Sequence, residues 1–309
     1  MTKTAFIFPG QGSQSVGMLA AFRDEPVFCH TLNEASGALG YDLWEVIQEG
    51  PADELQKTEI TQPALLTAGV ALWRLWEHRG GFRPHYLAGH SLGEYTALTC
   101  AGVFSLGDAV RLVRKRGELM QEAVPAGKGA MAAVLGLDDD KVIQACADSE
   151  QGEVVAAANF NSPGQVVIAG ETAAVERAIE ACKEAGARRA MALPVSVPSH
   201  CALMRPAAEQ LEEVLSGMLM FPPEAPVINN VDVAITNDVE EIRSALIKQL
   251  YSPVRWVETV QLLQSEGVTH AYECGPGKVL AGLIRRIDKG MKVMAMEDFE
   301  ALKAATPNA

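Results

Sequence analysis

The sequence predicts an α/β fold in two parts: a large subdomain with a mostly parallel sheet, and a smaller βαββαβ subdomain inserted into it. Three observations predict it. A short apolar run, Tyr86 to Ala88, leads into Gly89-His90-Ser91-Leu92-Gly93 and then into an apolar segment with helical spacing. Strand, Gly-x-Ser-x-Gly and helix in that order make a nucleophile elbow, the turn of hydrolase-like sheets. Pro125-Ala126-Gly127-Lys128-Gly129 is a linker, and the texture of the chain changes after it. The following stretch reads β-α-β-β-α-β within about 65 residues, the order of a ferredoxin-like unit. The large subdomain is therefore discontinuous, 1–126 and 196–309, around a small one at 127–195.

The elements follow in order. Residues 4–8 read as a buried strand, and Pro9-Gly10-Gln11-Gly12-Ser13-Gln14 as a loop. That loop misses a dinucleotide fingerprint because Ser15 holds the third glycine position. Its place after the first strand suits an oxyanion loop with Gln11 as donor. Helices are expected at 27–39, 43–49 and 62–78, the last with a core stripe that includes Leu65, Leu66, Val70 and Trp73. A strand at 85–89 ends in the elbow, a helix runs from Leu92 to about Thr99, and Ser105 caps a long helix to about Ala123. In the insert, strands at 130–137, 154–159, 165–169 and 188–193 frame helices at 138–148 and 172–185. Asp138, Asp139 and Asp140 favour a helix N-terminus over a metal. After the loop Val197-Pro198-Ser199-His200-Cys201, Pro206 starts a helix to about Leu215. A strand at 227–231, helices at about 239–250 and 256–265, a strand at 268–274, a helix to about Asp288 and a strand at 293–296 complete the chain. The tail from about Ala304 reads as frayed.

Composition bounds the function. The 309 residues, 48% hydrophobic and 21% charged, are ordinary for a globular protein. The longest apolar run, Ala64 to Trp73, is too short for a membrane span. Met1-Thr2-Lys3-Thr4 leads straight into the first strand without a signal-type leader, so a cytoplasmic location is expected. Six cysteines without a CxxC pair read as reduced thiols, and no metal site is expected. A net charge of −13 argues against nucleic acid. Within this acidic chain Arg111, Arg114, Lys115 and Arg116, then Arg188 and Arg189, then Arg285, Arg286 and Lys289 form local basic clusters where an anionic partner could dock.

A serine at the elbow is pushed out of the backbone trace, and the helix behind it aims free N–H groups at the same point. The hydroxyl needs a base at neutral pH. Of six histidines, His30, His78 and His85 sit on helices or at a strand start, and His90 packs beneath the elbow. The contest is between His200, in a loop, and His270, in mid-strand, with the loop favoured.

Several segments together resemble the bacterial malonyl-CoA:acyl-carrier-protein transacylase family. They are Phe8-Pro9-Gly10-Gln11-Gly12-Ser13-Gln14, Thr61-Gln62-Pro63-Ala64, Gly89 to Tyr95, Arg116 twenty-five positions after the serine, Val197-Pro198-Ser199-His200, Gln249 with Ser252-Pro253-Val254-Arg255-Trp256, and Gly275-Pro276-Gly277-Lys278. The similarity spans nearly the whole chain in the family's order. It implies that Ser91 is the nucleophile taking malonyl from coenzyme A and His200 the base and then the acid. A backbone carbonyl near Gln249 would orient the imidazole, the N–H groups of Gln11 and Leu92 would form the oxyanion hole, and Arg116 would hold the free carboxylate. The resemblance further implies a ping-pong transfer to the phosphopantetheine thiol of acyl carrier protein, supplying fatty acid synthesis. The coenzyme A thioester is then substrate, with no permanently bound cofactor. An acidic carrier protein would dock at a local basic rim, with no nucleic acid or membrane partner, and the chain would be a monomer. Two other readings stand beside it. A serine esterase or thioesterase would use Ser91, Asp232 or Asp238, and His270; a non-catalytic module would only bind acyl-CoA or carrier protein. A third, with Cys201 as a thiol nucleophile, is disfavoured by its place beside His200.

Overall fold

The structure, a computed structural model, describes residues 3–195 and 197–306. Strand β1 (Lys3–Phe8) is buried except at Lys3. Helices α1 (Pro26–Leu39), α2 (Leu43–Glu49), α3 (Ala52–Leu55) and α4 (Thr58–His78) follow, then β2 (Tyr86–Gly89), α5 (Leu92–Cys100) and α6 (Leu106–Ala123). Next come β3 (Gly129–Leu135), α7 (Asp139–Ser149), β4 (Val155–Ser162), β5 (Gln165–Glu171), α8 (Thr172–Glu184) and β6 (Arg189–Ala192). The chain ends with α9 (Arg205–Ser216), β7 (Val227–Ile228), α10 (Val239–Gln249), α11 (Trp256–Ser265), β8 (Val268–Glu273), α12 (Val279–Ile287), β9 (Lys292–Ala295) and α13 (Phe299–Ala305).

The first sheet has the order β7-β2-β1-β8-β9, with its strand pairings parallel. Parallel strands need helical crossovers, so both faces of this sheet are covered. Side chains alternate along β1. Phe6 and Phe8 enter the core shared with α4, α5 and α6, while Ala5 and Ile7 pack against α11 and α12. Phe6 is the hub of the first face, its ring 5.2–5.3 Å from those of Trp73, Trp76 and Tyr272.

The second sheet has the order β4-β5-β3-β6 and is antiparallel throughout. This is the strand order of a ferredoxin-like unit. One face packs on α7 and α8 through Val134, Val166 and Ile168. The other carries Met131, Val167 and Ala169 and meets Cys201 of the larger unit. A backbone splice also joins the two units: Val254 N–H donates to Ala158 O, and Phe160 N–H donates to Val254 O, each at 2.9 Å.

Four elements differ from the sequence reading: α3 forms where no helix is expected, and three others change. Helix α4 starts at Thr58 and carries Pro63 in its second turn, where the missing N–H removes one helical bond near the end. The strand expected over 227–231 is only two residues long. Its continuation is diverted because Asn229 Oδ1 accepts from Asp232 N–H and Asn230 turns inward to the elbow. The frayed tail is a helix to Ala305, capped by Asp298 and seated by Phe299 against Phe22; residues 307–309 lie outside the described residues, as do residues 1 and 2 and Ser196, at the expected subdomain limits. Ser105 and Asp138 precede α6 and α7 as expected, but only Ser105 accepts a capping bond, from Asp108 N–H.

Truncating the hub should be costly. Phe6→Ala is expected to lower unfolding free energy by about 3–5 kcal/mol, measured by urea denaturation.

Candidate active site

The elbow works because three chain segments cross where no side chain fits. A Cβ on Gly89 would lie 1.8 Å from the Gly93 carbonyl carbon, and one on Gly93 would lie 1.9 Å from Phe8 O. The two glycines therefore crowd each other, with the end of β1 as a third party. Ser91 between them has φ 51°, a conformation a non-glycine residue holds only under constraint. Asn230 supplies that constraint: its Oδ1 accepts from Ser91 N–H at 2.8 Å and its Nδ2 donates to Gly89 O at 2.7 Å.

His200 is brought to the serine. Its Nε2 lies 2.8 Å from Ser91 Oγ, and its Nδ1 lies 2.8 Å from the backbone oxygen of Gln249. A carbonyl only accepts, so Nδ1 carries the hydrogen and Nε2 is left to receive the serine proton. His200 also has φ 64°, and its N–H is tied to Leu250 O. Burial first, and the nearby Arg116 charge second, push its pKa down to about 3. The imidazole is thus neutral at physiological pH.

The other candidates are elsewhere. His270 sits on β8 with Nδ1 3.0 Å from Thr269 Oγ1, and Asp238 caps α10. The Ser-Asp-His arrangement of a hydrolase through His270 is not assembled. His90 lies under the elbow, its Nε2 2.8 Å from Asn161 Oδ1 and its ring beside Trp256. Cys201 is buried, its thiol donates to Pro198 O, and burial pushes its pKa up to about 11.

Arg116 is 1% exposed. Helix α6 delivers it to the cleft, where Nη1 donates to Gln62 Oε1 at 2.9 Å and Nη2 to Gln249 Oε1 at 3.0 Å. Nη2 also stands 3.3 Å from Ser91 Oγ, and the guanidinium lies over the Tyr95 ring. Each of these hydrogen-bond partners is neutral, so the fork keeps its charge for an anion. Gln11 and Leu92 border the same cleft, of about 710 Å³. Among the described residues, neither backbone N–H donates to a protein acceptor. A half-buried serine, a neutral base, two free amides and an unneutralised guanidinium suit acyl transfer through an ester, with preference for an acyl group that carries a carboxylate.

Sequence reasoning missed Gln62, Glu94 and Asn230 as parts of this site. Each lies far along the chain from its partner and has no local signature; Gln62 and Glu94 stood only within recognised segments. The basic run 111–116 also divides. Arg111 pairs with Asp108, and Arg114 and Lys115 pair with Glu118, while Arg116 turns inward. Arg188, Arg189, Arg285, Arg286 and Lys289 make no ion pair among the described residues.

Residues 5–284 match the acyl transferase domain family. Malonyl CoA-acyl carrier protein transacylase of Salmonella typhimurium is 58% identical over 306 residues, covering 99% of each chain. That of Bacillus subtilis is 47% identical, covering 99% of this chain and 96% of the relative. Among solved structures, an acyl carrier protein S-malonyltransferase from Vibrio cholerae superposes with a TM-score of 0.96 at 56% identity, covering 98% of this chain and 99% of that one. A malonyl-transacylase in complex with its type II PKS acyl-carrier protein gives 0.98 at 55% identity over the whole of both chains. With its elbow, base and guanidinium in one cleft and this likeness from end to end, the chain belongs to the malonyl CoA-acyl carrier protein transacylase family.

Proposed function

We propose that this acyltransferase moves a malonyl group from malonyl-CoA to the phosphopantetheine thiol of acyl carrier protein through a malonyl-Ser91 ester, supplying fatty acid synthesis. The observation that carries the reading is the contact of Ser91 Oγ with both His200 Nε2 and Arg116 Nη2. Ser91 Oγ attacks the thioester carbonyl as its proton passes to His200 Nε2. The N–H groups of Gln11 and Leu92 receive the oxyanion, a pair of donors each worth about 3 kcal/mol in a transition state. The C–S bond breaks, and the departing sulfur takes the proton from His200. In the second half the carrier thiol gives its proton to His200 and attacks the ester, and Ser91 recovers the proton as it leaves. A thiolate leaves readily, so a carbonyl rather than a carboxylate behind His200 suffices. Gln249 contributes that carbonyl, and Arg116 grips the malonyl carboxylate.

Coenzyme A is substrate in this scheme, and none of its steps needs a resident cofactor. Among the described residues no helix is long and apolar enough to cross a membrane; a monomer in the cytoplasm fits the scheme. It also divides the chain as 1–126 with 196–309, and 127–195, with the cleft between the two parts. An acidic carrier would dock at its mouth. Leu283 and Val279 of α12 and Leu193 and Val195 line the cleft, and Arg286 donates to Gln165 Oε1 at 2.6 Å. Gln165 is paired through Leu135 to Arg189, which supports reading the two basic clusters as one rim.

Incubation with malonyl-CoA should add a malonyl mass to the peptide containing Ser91, and Ser91→Ala should remove it; an unmodified peptide in the parent chain would refute the mechanism. Arg116→Ala should lower malonyl transfer at least about tenfold more than acetyl transfer. The His200 ring should remain neutral when its nitrogen resonances are followed by NMR from about pH 8 to pH 5, because a depressed value places protonation below this window. Arg189→Glu with Arg286→Glu should raise KM for the carrier about tenfold and flatten its salt dependence.

A further inference from the structure

Glu94 is 2% exposed, one turn into α5 from the nucleophile. Its Oε2 accepts from Gln249 Nε2 at 2.7 Å and from Asn230 N–H at 3.0 Å. Gln249 Nε2 also donates to Ser91 O at 3.1 Å, and its Oε1 accepts from Arg116 Nη2. The order of donors along this chain is fixed. An ionised carboxylate can only accept, so the amide of Gln249 must turn its NH2 toward Glu94 and its oxygen toward the guanidinium. With the amide reversed, NH2 would face NH2 and Arg116 would lose a partner. The carboxylate is also separated from the guanidinium by one amide. It supplies a counter-charge without closing the salt bridge that would occupy the fork.

We propose that Glu94 is a positioning residue for Arg116: through the side-chain amide of Gln249 it holds the guanidinium aimed into the acyl cleft, and so sets the preference for acyl groups that end in a carboxylate. This rests on the reading of Arg116 as the carboxylate holder. Neither Glu94 nor the Gln249 side chain touches the transferred group in this scheme. Burial, opposed by the hydrogen bonds from Gln249 and Asn230, lifts the Glu94 pKa to about 7, so the test belongs at about pH 8, where the carboxylate is the acceptor.

Two variants separate polarity from packing. In Glu94→Gln, Asn230 N–H still demands an oxygen at the same point, so the new amide accepts from both donors and Gln249 keeps its orientation. Glu94→Leu keeps the volume but gives Gln249 nothing to donate to. The measurement is kcat/KM for malonyl-CoA against acetyl-CoA with a carrier protein as acceptor. Glu94→Gln is expected to keep the malonyl-over-acetyl ratio within about threefold or to raise it, and Glu94→Leu to lower it at least about tenfold, chiefly through a higher malonyl KM. If Glu94→Leu does not fold, Glu94→Asp, one methylene shorter, should show the same loss because its oxygen withdraws from Gln249. A Leu variant with lower thermal stability and an unchanged ratio would mean that Glu94 only fills the core, and would overturn the proposal. Equal loss of the ratio in Gln and Leu variants would overturn it as well. A parent chain that accepts no malonyl group removes the proposed function and this proposal together; a parent that does, beside an unchanged Leu ratio, removes this one alone.

Discussion

The site depends on one steric constraint, the approach of the elbow to the end of β1. Phe8 O occupies the space where a side chain at position 93 would begin, and the same oxygen accepts from His90 N–H. The strand that carries the sheet therefore also sets how sharply the chain must bend after β2. The bend forces Ser91 into its left-handed conformation, and Asn230 holds it there. His200, also left-handed, arrives from a separate loop tied to the end of α10. Two strained residues in hydrogen-bond contact are held by elements packed on the parallel sheet, so the cost is met by the core and the geometry is set before substrate arrives.

Much of this was legible in the sequence because it is local. Two glycines flanking Ser91 announce the turn, Ser105 announces the start of α6, and the alternation of strand and helix signals announces both subdomains. His200 could be preferred to His270 on loop position alone. What was not legible is pairwise and distant. Asn230 and Glu94 lie 136 residues apart and meet through one backbone N–H, and nothing near either residue signals the other. The reading of 227–231 as strand failed for the same reason. Side-chain bonds of Asn229 and Asn230 outweigh the apolar pattern that would have continued the sheet. Arg116 was marked by resemblance only, since its charged neighbours on the helix carry the pattern of a solvated face.

The charge distribution has a similar two-level character. A chain with net charge −13 would repel an acidic partner at long range. The arginines on β6 and α12, which make no ion pair among the described residues, would offset this locally in the proposed docking, and the exposed apolar residues Met191 and Val279 lie on the same two elements. Charge of this kind guides approach, while the apolar contacts give a seated partner something to bury.

The nearness of Arg116 to His200 has a consequence for timing. After burial, its positive charge is the largest cause that suppresses protonation of the imidazole. A carboxylate arriving on the guanidinium would cancel that charge and raise the proton affinity of the ring at the moment a proton must be taken. An acyl group without a carboxylate would leave the ring reluctant. Discrimination would then be exercised twice by a single residue, once in holding the diacid and once in arming the base.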